Sequence, residues 1–242
     1  MSRTLNGTGL FKQIDSISAF RIPTSTFGDT VSTDALTVGD ADVTVSAVTN
    51  FTAADYCAVI GSGGSQMHKV GAIAGSVITF AWKNALAHIA GARVVELVEV
   101  PLGHISEQGL TFGASLPLTP VKAATSRTPI AYMSEPGEMN VSFSLLEAAL
   151  ENLLFAAGAT ETLLGTGTAA DPHVAALGQD TLGSQGFQVI RMKGTRFDAK
   201  TVWMDFVDAK TEVNLSATIG SGQPTGFPAT MKPTAIIGYL FA

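Results

Sequence analysis

The chain has 242 residues, of which 46% are hydrophobic and 14% are charged, and its 14 Lys and Arg residues against 20 Asp and Glu residues give a net charge of −6. This low charged fraction, together with a mean hydropathy of +0.31, excludes a disordered acidic tail and a basic nucleic-acid-binding arm. The length allows one large domain or two small ones.

Membrane, secreted and disulfide-linked proteins are also disfavoured. No stretch reaches the roughly 18 apolar residues of a membrane-spanning helix, because the nearest candidate, 72–82, contains Gly75 and Ser76. The first seven residues lack the apolar segment of a secretory signal, so we expect synthesis in the cytoplasm without membrane insertion. The single cysteine, Cys57, cannot form an intramolecular disulfide. A chain so apolar and so poor in charge must bury surface elsewhere, which favours self-assembly.

The first hundred residues divide into an arm and a small β module. Residues 1–33 predict an extended arm with one strand, because Pro and Gly interrupt their apolar runs. From 34 to 102, short alternating runs such as Val43-Thr44-Val45 are separated by glycine turns, which predicts an all-β module of about five strands. The glycine-rich segment 61–65 could cradle an anion, but no Lys-Ser or Lys-Thr pair follows it, so a hairpin tip is favoured.

Residues 103–242 predict a second, larger β domain. Its segment 113–129 is rich in Pro, Ser and Thr and predicts a long loop. The strand that follows alternates apolar and polar side chains, with Val141 and Phe143 on one face. The polar face carries Glu138, Asn140 and Ser142.

The one predicted helix covers residues 145–157. The motif Ser144-Leu145-Leu146-Glu147 has the spacing of a capping box, and Gly158 supplies a stop. On a helical wheel, Phe155 falls within the polar arc and Leu154 lies at its edge. Such a helix needs contacts on two sides, and we expect a neighbouring subunit to supply the second, which makes Leu154 and Phe155 subunit-interface candidates.

A hairpin is predicted from 188–197 and 201–216, with a turn at 198–200. Its second strand carries apolar residues on both faces, so this sheet is either covered on both sides or faces another protein. Trp203 and Val207 are therefore further interface candidates.

The basic residues of the same hairpin, including Arg191, could bind phosphate. Asp205 and other carboxylates lie beside them in the sequence, so contacts that neutralise them within the sheet or across a subunit boundary are equally consistent.

No catalytic or metal-binding pattern emerges. The four histidines are far apart, no G-x-S-x-G nucleophile motif is present, and Glu147 and Glu151 are explained by a helix N-terminus. Both 1–103 and 104–242 carry more acidic than basic residues, which argues against tight DNA binding. The sequence therefore predicts no enzyme activity, no catalytic residue, no metal and no cofactor.

The order of elements resembles one known family. The strand and helix of 138–154, the hairpin of 191–202 and the Phe227-Pro228-Ala229-Thr230 turn before a last strand resemble tail tube proteins of long-tailed bacteriophages. The likeness covers 104–242 and the N-terminal arm. Residues 34–102 depart from it and resemble a small β module inserted in several virion proteins.

The resemblance implies a mainly β protein with one flanking helix: a β-sandwich or split barrel plus the inserted all-β domain. Six copies would form a ring whose sheets join into an inner barrel, and stacked rings would form the tube through which DNA leaves the capsid. The virion tail would be the location, after assembly in the host cytoplasm. Partners would be the chain itself and the tape measure, terminator and distal tail proteins. Glu138, Asn140 and Ser142 would be lumen-facing candidates.

A second hypothesis is a virion decoration or host-surface-binding protein that uses the 34–102 domain. The exposed turns expected in that domain motivate it. An enzyme such as a tail-associated hydrolase has no sequence feature to support it beyond scattered His and Asp residues.

Overall fold

The computed structural model describes residues 13–115, 118–121, 131–134, 137–146, 150–159, 168, 170–171, 186–196, 198–212 and 227–241. Within these residues the chain forms sixteen strands and one helix. The elements are β1 (Gln13–Arg21), β2 (Asp29–Val31), β3 (Asp42–Thr44), β4 (Tyr56–Gly61), β5 (Gly64–Ala74), β6 (Val77–Phe80), β7 (Arg93–Gly103), β8 (Ile105–Ser115), β9 (Leu118–Val121), β10 (Ala131–Ser134), β11 (Glu138–Leu145), α1 (Leu150–Ala156), β12 (Gln188–Thr195), β13 (Thr201–Val207), β14 (Lys210–Glu212), β15 (Phe227–Lys232) and β16 (Ala235–Leu240).

The strands form two main antiparallel sheets, which confirms the predicted class of a mainly β protein with one helix. The larger sheet has the order β16-β13-β12-β1-β7-β4-β5-β6-β3, and β2 also pairs with β7. The smaller sheet has the order β14-β15-β11-β8, and β9 and β10 form a separate two-stranded ribbon. No helix in the described part of the chain is long and apolar enough to cross a membrane.

The main core lies between the two sheets. Alternate residues of β1 and β12, such as Ile17 and Met192, point from the larger sheet into a cluster with Val141 and Phe143 of the smaller sheet. All four are nearly or completely buried. Strand alternation therefore explains why Val141 and Phe143 are internal while Ser142 between them is not.

The five strands expected within the predicted β module are β3 to β7, and all of them belong to the larger sheet. The turn at 61–65 is a hairpin tip, because Gly61 pairs with Gly64 where β4 meets β5. The 34–102 module and the residues outside it are called the two halves of the chain. Strand β7 belongs to both: its first part pairs with β4, and its last part, from Val98 to Gly103, pairs with β1. The expected boundary at residue 102 thus lies near the end of a strand that both halves share.

The predicted start of the helix at residue 145 is wrong. Leu145 is the last residue of β11, is fully buried, and pairs with Phe227 and with Ile105. Ser144 pairs with Pro228 in the same sheet. Sheet pairing and burial outweigh the capping-box spacing here, and the described helix begins at Leu150. Glu147 lies outside the described residues.

The predicted helix stop at Gly158 is confirmed. Gly158 has φ +60°, its N–H donates to the Phe155 carbonyl, and the Ala159 N–H donates to the Leu154 carbonyl. This pair of bonds is a Schellman motif, which glycine favours because it reaches positive φ without a Cβ clash. Leu154 and Ala159 also share a small apolar cluster, the contact that usually accompanies this motif.

The predicted long loop at 113–129 is also partly wrong. Residues 113–115 belong to β8, and 118–121 form β9, which pairs with β10. Val121 pairs with Ala131 and Ser115 pairs with Glu138, so the chain forms one long hairpin in two sections. Residues 122–130 lie outside the described part.

Candidate assembly surface

The chain itself buries three of the four side chains predicted to lie at a subunit interface and partly covers the fourth. Leu154, Phe155 and Val207 are 2%, 7% and 0% exposed, and Trp203 is half-buried. Phe155 stacks on Phe143, with ring centroids 6.2 Å apart. The second contact that the helix needs therefore comes from within the chain.

The β12–β13 hairpin, which carries apolar side chains on both faces, is covered on both faces by the chain itself. This was one of the two alternatives, the other being a face that contacts another protein. One face packs in the main core through Phe206. The other face places Val207 in a cluster with Val95 and Leu97 of the module. The module is therefore the cover that this sheet requires.

The three predicted lumen-facing residues lie on the outer face of the smaller sheet. Glu138 is exposed and its carboxylate lies 3.7 Å from the Lys232 amine. The Ser142 hydroxyl lies 3.2 Å from the Thr230 hydroxyl, and Asn140 is half-buried. The alternation that placed all three opposite Val141 is confirmed.

The charge on this outer face is mixed. On β14, Lys210 and Glu212 stand opposite Lys232 and Thr230 and are exposed. Together with Glu138, the described residues of the face therefore carry two amines and two carboxylates. This balance differs from the acidic wall that a repulsive DNA conduit would suggest.

The edge of the smaller sheet is the strongest candidate for an assembly surface. Strand β8 is eleven residues long and pairs on one side with β11. In the described part of the chain nothing pairs with its other side, and the same is true of β14 at the opposite edge. Phe112 of β8 is 49% exposed although it pairs with the buried Val141. A long unpaired edge strand is a surface that proteins normally cover.

The ribbon β9–β10 extends this edge. It continues the β8–β11 hairpin, yet β9 and β10 pair only with each other among the described strands. Among the described strands, the ribbon is therefore the part of this edge that lies outside the four-stranded sheet.

Arg191 and Lys193 of the β12–β13 hairpin lie beside carboxylates of the same chain, as one alternative expected. Arg191 forms a bidentate pair with Asp205, with both nitrogen–oxygen distances 2.7 Å. Burial disfavours the charged guanidinium, but the hydrogen bonds and charge of Asp205 raise the pKa of Arg191 above its usual value. Lys193 lies 3.7 Å from Glu99 of β7. Arg191 and Lys193 are therefore paired with carboxylates and are not free to recognise phosphate.

Sequence reasoning missed a group of buried polar residues in the module: Gln66, His68, Asn84 and His88. His68 stacks on Phe80 with ring centroids 3.9 Å apart, and no hydrogen bond satisfies its ring nitrogens within the described residues. Burial lowers the pKa of His68 to about 3, so the ring is neutral at pH 7. Among the described residues no three His, Cys, Asp or Glu side chains come together as metal ligands. No sequence spacing signals this group, because its members come from a strand and a long connection.

Comparison of the sequence with family models and with curated proteins gives no match.

Proposed function

We propose that this chain is a tail tube protein of a long-tailed bacteriophage, a structural subunit that assembles into stacked rings and has no enzymatic role. The observation that carries the proposal is the β8 edge, which pairs with no further strand in the described part of the chain and carries the exposed Phe112. The order of elements along the sequence, which resembles that family, supports it independently. The occupant of the edge would be a second copy of the chain.

The geometry of the smaller sheet suits head-to-tail assembly. Its two edges, β8 and β14, are different strands, so a contact between them joins unlike surfaces and can close into a ring. Neighbouring strands alternate in direction from β14 through β15 and β11 to β8. Because the sheet has four strands, β8 of one copy would run antiparallel to β14 of the next. Every joint in the ring would then continue the same antiparallel pattern.

The size of such a ring is physically reasonable for a DNA conduit. Six copies, the number that the family resemblance implies, would join six four-stranded sheets into one barrel. At about 4.8 Å per strand the backbone would enclose a diameter of about 37 Å, and strand tilt would widen it. The outer face of the smaller sheet, with Glu138, Asn140 and Ser142, would line this lumen. Small polar side chains and balanced charges there would let DNA pass without specific binding.

The β9–β10 ribbon would contact the neighbouring ring. It continues the β8–β11 hairpin beyond the four-stranded sheet and pairs with no other described strand, so a stacked copy could contact it there. The further partners would be the tape measure, terminator and distal tail proteins. The mature location would be the virion tail, after assembly in the host cytoplasm.

The test compares two lysine substitutions. Phe112→Lys places a charge on the open edge, whereas Ile89→Lys makes a matched change at a side chain that is 69% exposed on the module. Sedimentation velocity over a concentration series should show association of the native chain and of Ile89→Lys, and a monomer for Phe112→Lys. Equal association of all three proteins would refute the role of the β8 edge. A native chain that stays monomeric would favour the decoration or host-binding hypothesis.

A further inference from the structure

Arg191 of β12 is enclosed by aromatic rings from both halves of the chain. Its side chain is 0% exposed, and five ring centroids lie 4.6 to 5.6 Å from its guanidinium carbon. The rings belong to Phe20, Tyr56, Trp82, Trp203 and Tyr239. Two of these rings, Tyr56 and Trp82, come from the 34–102 module. Cation–π attraction strengthens when the cation is shielded from water, so this cage is favourable only while both halves are in place.

One backbone carbonyl of the module also accepts hydrogen bonds from both halves. The Trp82 indole N–H donates to the Met67 carbonyl at 3.2 Å, and the Tyr239 hydroxyl lies 3.3 Å from the same oxygen. Trp82 belongs to the module, whereas Tyr239 lies on β16 near the end of the chain. The Met67 carbonyl is thus a shared point of attachment.

The apolar cluster beside the cage has the same mixed origin. Ala58, Met67, Val95 and Leu97 of the module pack with residues of the other half, and all are buried. The partners are Phe20, Val189 and Val207. Strand β7 runs through the junction without a break, since it pairs with β4 and with β1.

We infer that residues 34–102 are not an autonomous domain but unfold with the rest of the chain as one cooperative unit, and that Arg191 is the residue that couples the two halves. Opening the module alone would remove part of the aromatic cage, hydrate the Arg191–Asp205 pair and expose the shared apolar cluster. A partly opened state of this kind would be costly, so global unfolding becomes the main route by which either half opens. This inference does not depend on the proposed tube function.

Hydrogen exchange of the full-length chain, followed by mass spectrometry over a denaturant series, tests whether the two halves unfold together. The two reporters are the amides of β4 in the module and those of β11 in the far sheet. In the native chain we expect the slowest amides of both strands to share one opening free energy and one denaturant dependence. Arg191→Met should accelerate exchange in both strands by the same factor, at least about a hundredfold, because it leaves Asp205 buried without a partner.

The matched control is Arg93→Met. Arg93 pairs with Asp29 at 2.7 Å within the first hundred residues, but the two side chains are 43% and 41% exposed. Its loss should change exchange less than about fivefold. If Arg191→Met does not fold, Arg191→Lys, which keeps the charge but loses the planar bidentate contact, gives the same readout at smaller amplitude. Separate opening of β4 in the native chain, or acceleration in only one strand, would overturn the inference.

Discussion

Arg191 and Asp205 face each other across the β12–β13 hairpin in a bidentate ion pair from which water is excluded. Nε and Nη2 each lie 2.7 Å from a carboxylate oxygen, and both side chains are 0% exposed. Both tryptophans of the chain, Trp82 and Trp203, lie beside this pair with ring centroids 5.9 Å apart. Intrinsic fluorescence therefore reports directly on this part of the molecule.

Asp205→Ala should destabilise the chain by about 3–5 kcal/mol, because it leaves the Arg191 charge buried without its carboxylate. Denaturant unfolding followed by tryptophan fluorescence measures this change. Asp29→Ala, which breaks the exposed pair with Arg93, is the control and should cost less than about 1 kcal/mol. Equal losses for the two variants would show that burial of the Arg191–Asp205 pair does not set its contribution.

His68 should make the fold sensitive to acid. Its pKa falls from 6.5 to about 3 because burial disfavours the charged ring. Between these values the unfolded chain binds a proton that the folded chain excludes, so stability is lost as the pH falls from about 6.5 towards 3. The loss from this one group should be about 1.4 kcal/mol per pH unit.

The variant His68→Phe isolates this contribution. Phenylalanine cannot titrate, and it retains an aromatic ring to stack on Phe80. The slope of unfolding free energy against pH between 4 and 6 should be smaller in His68→Phe by about 1.4 kcal/mol per unit. An unchanged slope would mean that the His68 ring is protonated in the folded chain.

Substitution of Phe155 should lower the stability of the folded chain, whether or not it also affects assembly. Its ring is 7% exposed and stacks on Phe143, so Phe155→Ala should cost about 3–5 kcal/mol in thermal or denaturant unfolding. Phe112→Ala provides the matched change at a ring that is 49% exposed and should cost less than about 1 kcal/mol. A similar cost at both positions would contradict the burial of Phe155.

Any side chain at position 63 should lower the stability of the folded chain. A Cβ at this position would lie 2.0 Å from the Ala87 carbonyl oxygen, a backbone atom that cannot rotate away. Gly63→Ala should therefore destabilise the chain by about 1–3 kcal/mol. Gly113→Ala, where nothing lies within 4 Å of the added atom, should change stability by less than about 0.5 kcal/mol. Circular dichroism melting curves of the two variants make the comparison.

Local patterns in the sequence predicted much of this fold. Alternation identified β11 with its polar Glu138, Asn140 and Ser142 face, and glycine punctuation identified the β4–β5 hairpin and the helix stop at Gly158. The turn at 198–200 also places Arg191 opposite Asp205, so their pairing within the sheet could be anticipated.

The errors arose where long-range pairing decides the structure. The capping-box spacing at 144–147 is local, whereas Leu145 is held in β11 by Phe227 and Ile105, far away in the sequence. The apolar faces of the helix and of the hairpin predicted that each packs against a partner. Periodicity cannot distinguish a second subunit from another part of the same chain as that partner. Val207 meets Val95 and Leu97 only because β7 brings the module beside β1. The aromatic cage of Arg191 draws on five separate strands and connections, which no spacing reveals.

Assembly into hollow rings is the central claim, and negative-stain electron microscopy of the purified native chain tests it most directly. Grids prepared across a concentration series, with light scattering on the same samples, should show rings or tubes with an open channel and a mass that rises with concentration. A monodisperse monomer at every concentration would contradict the claim.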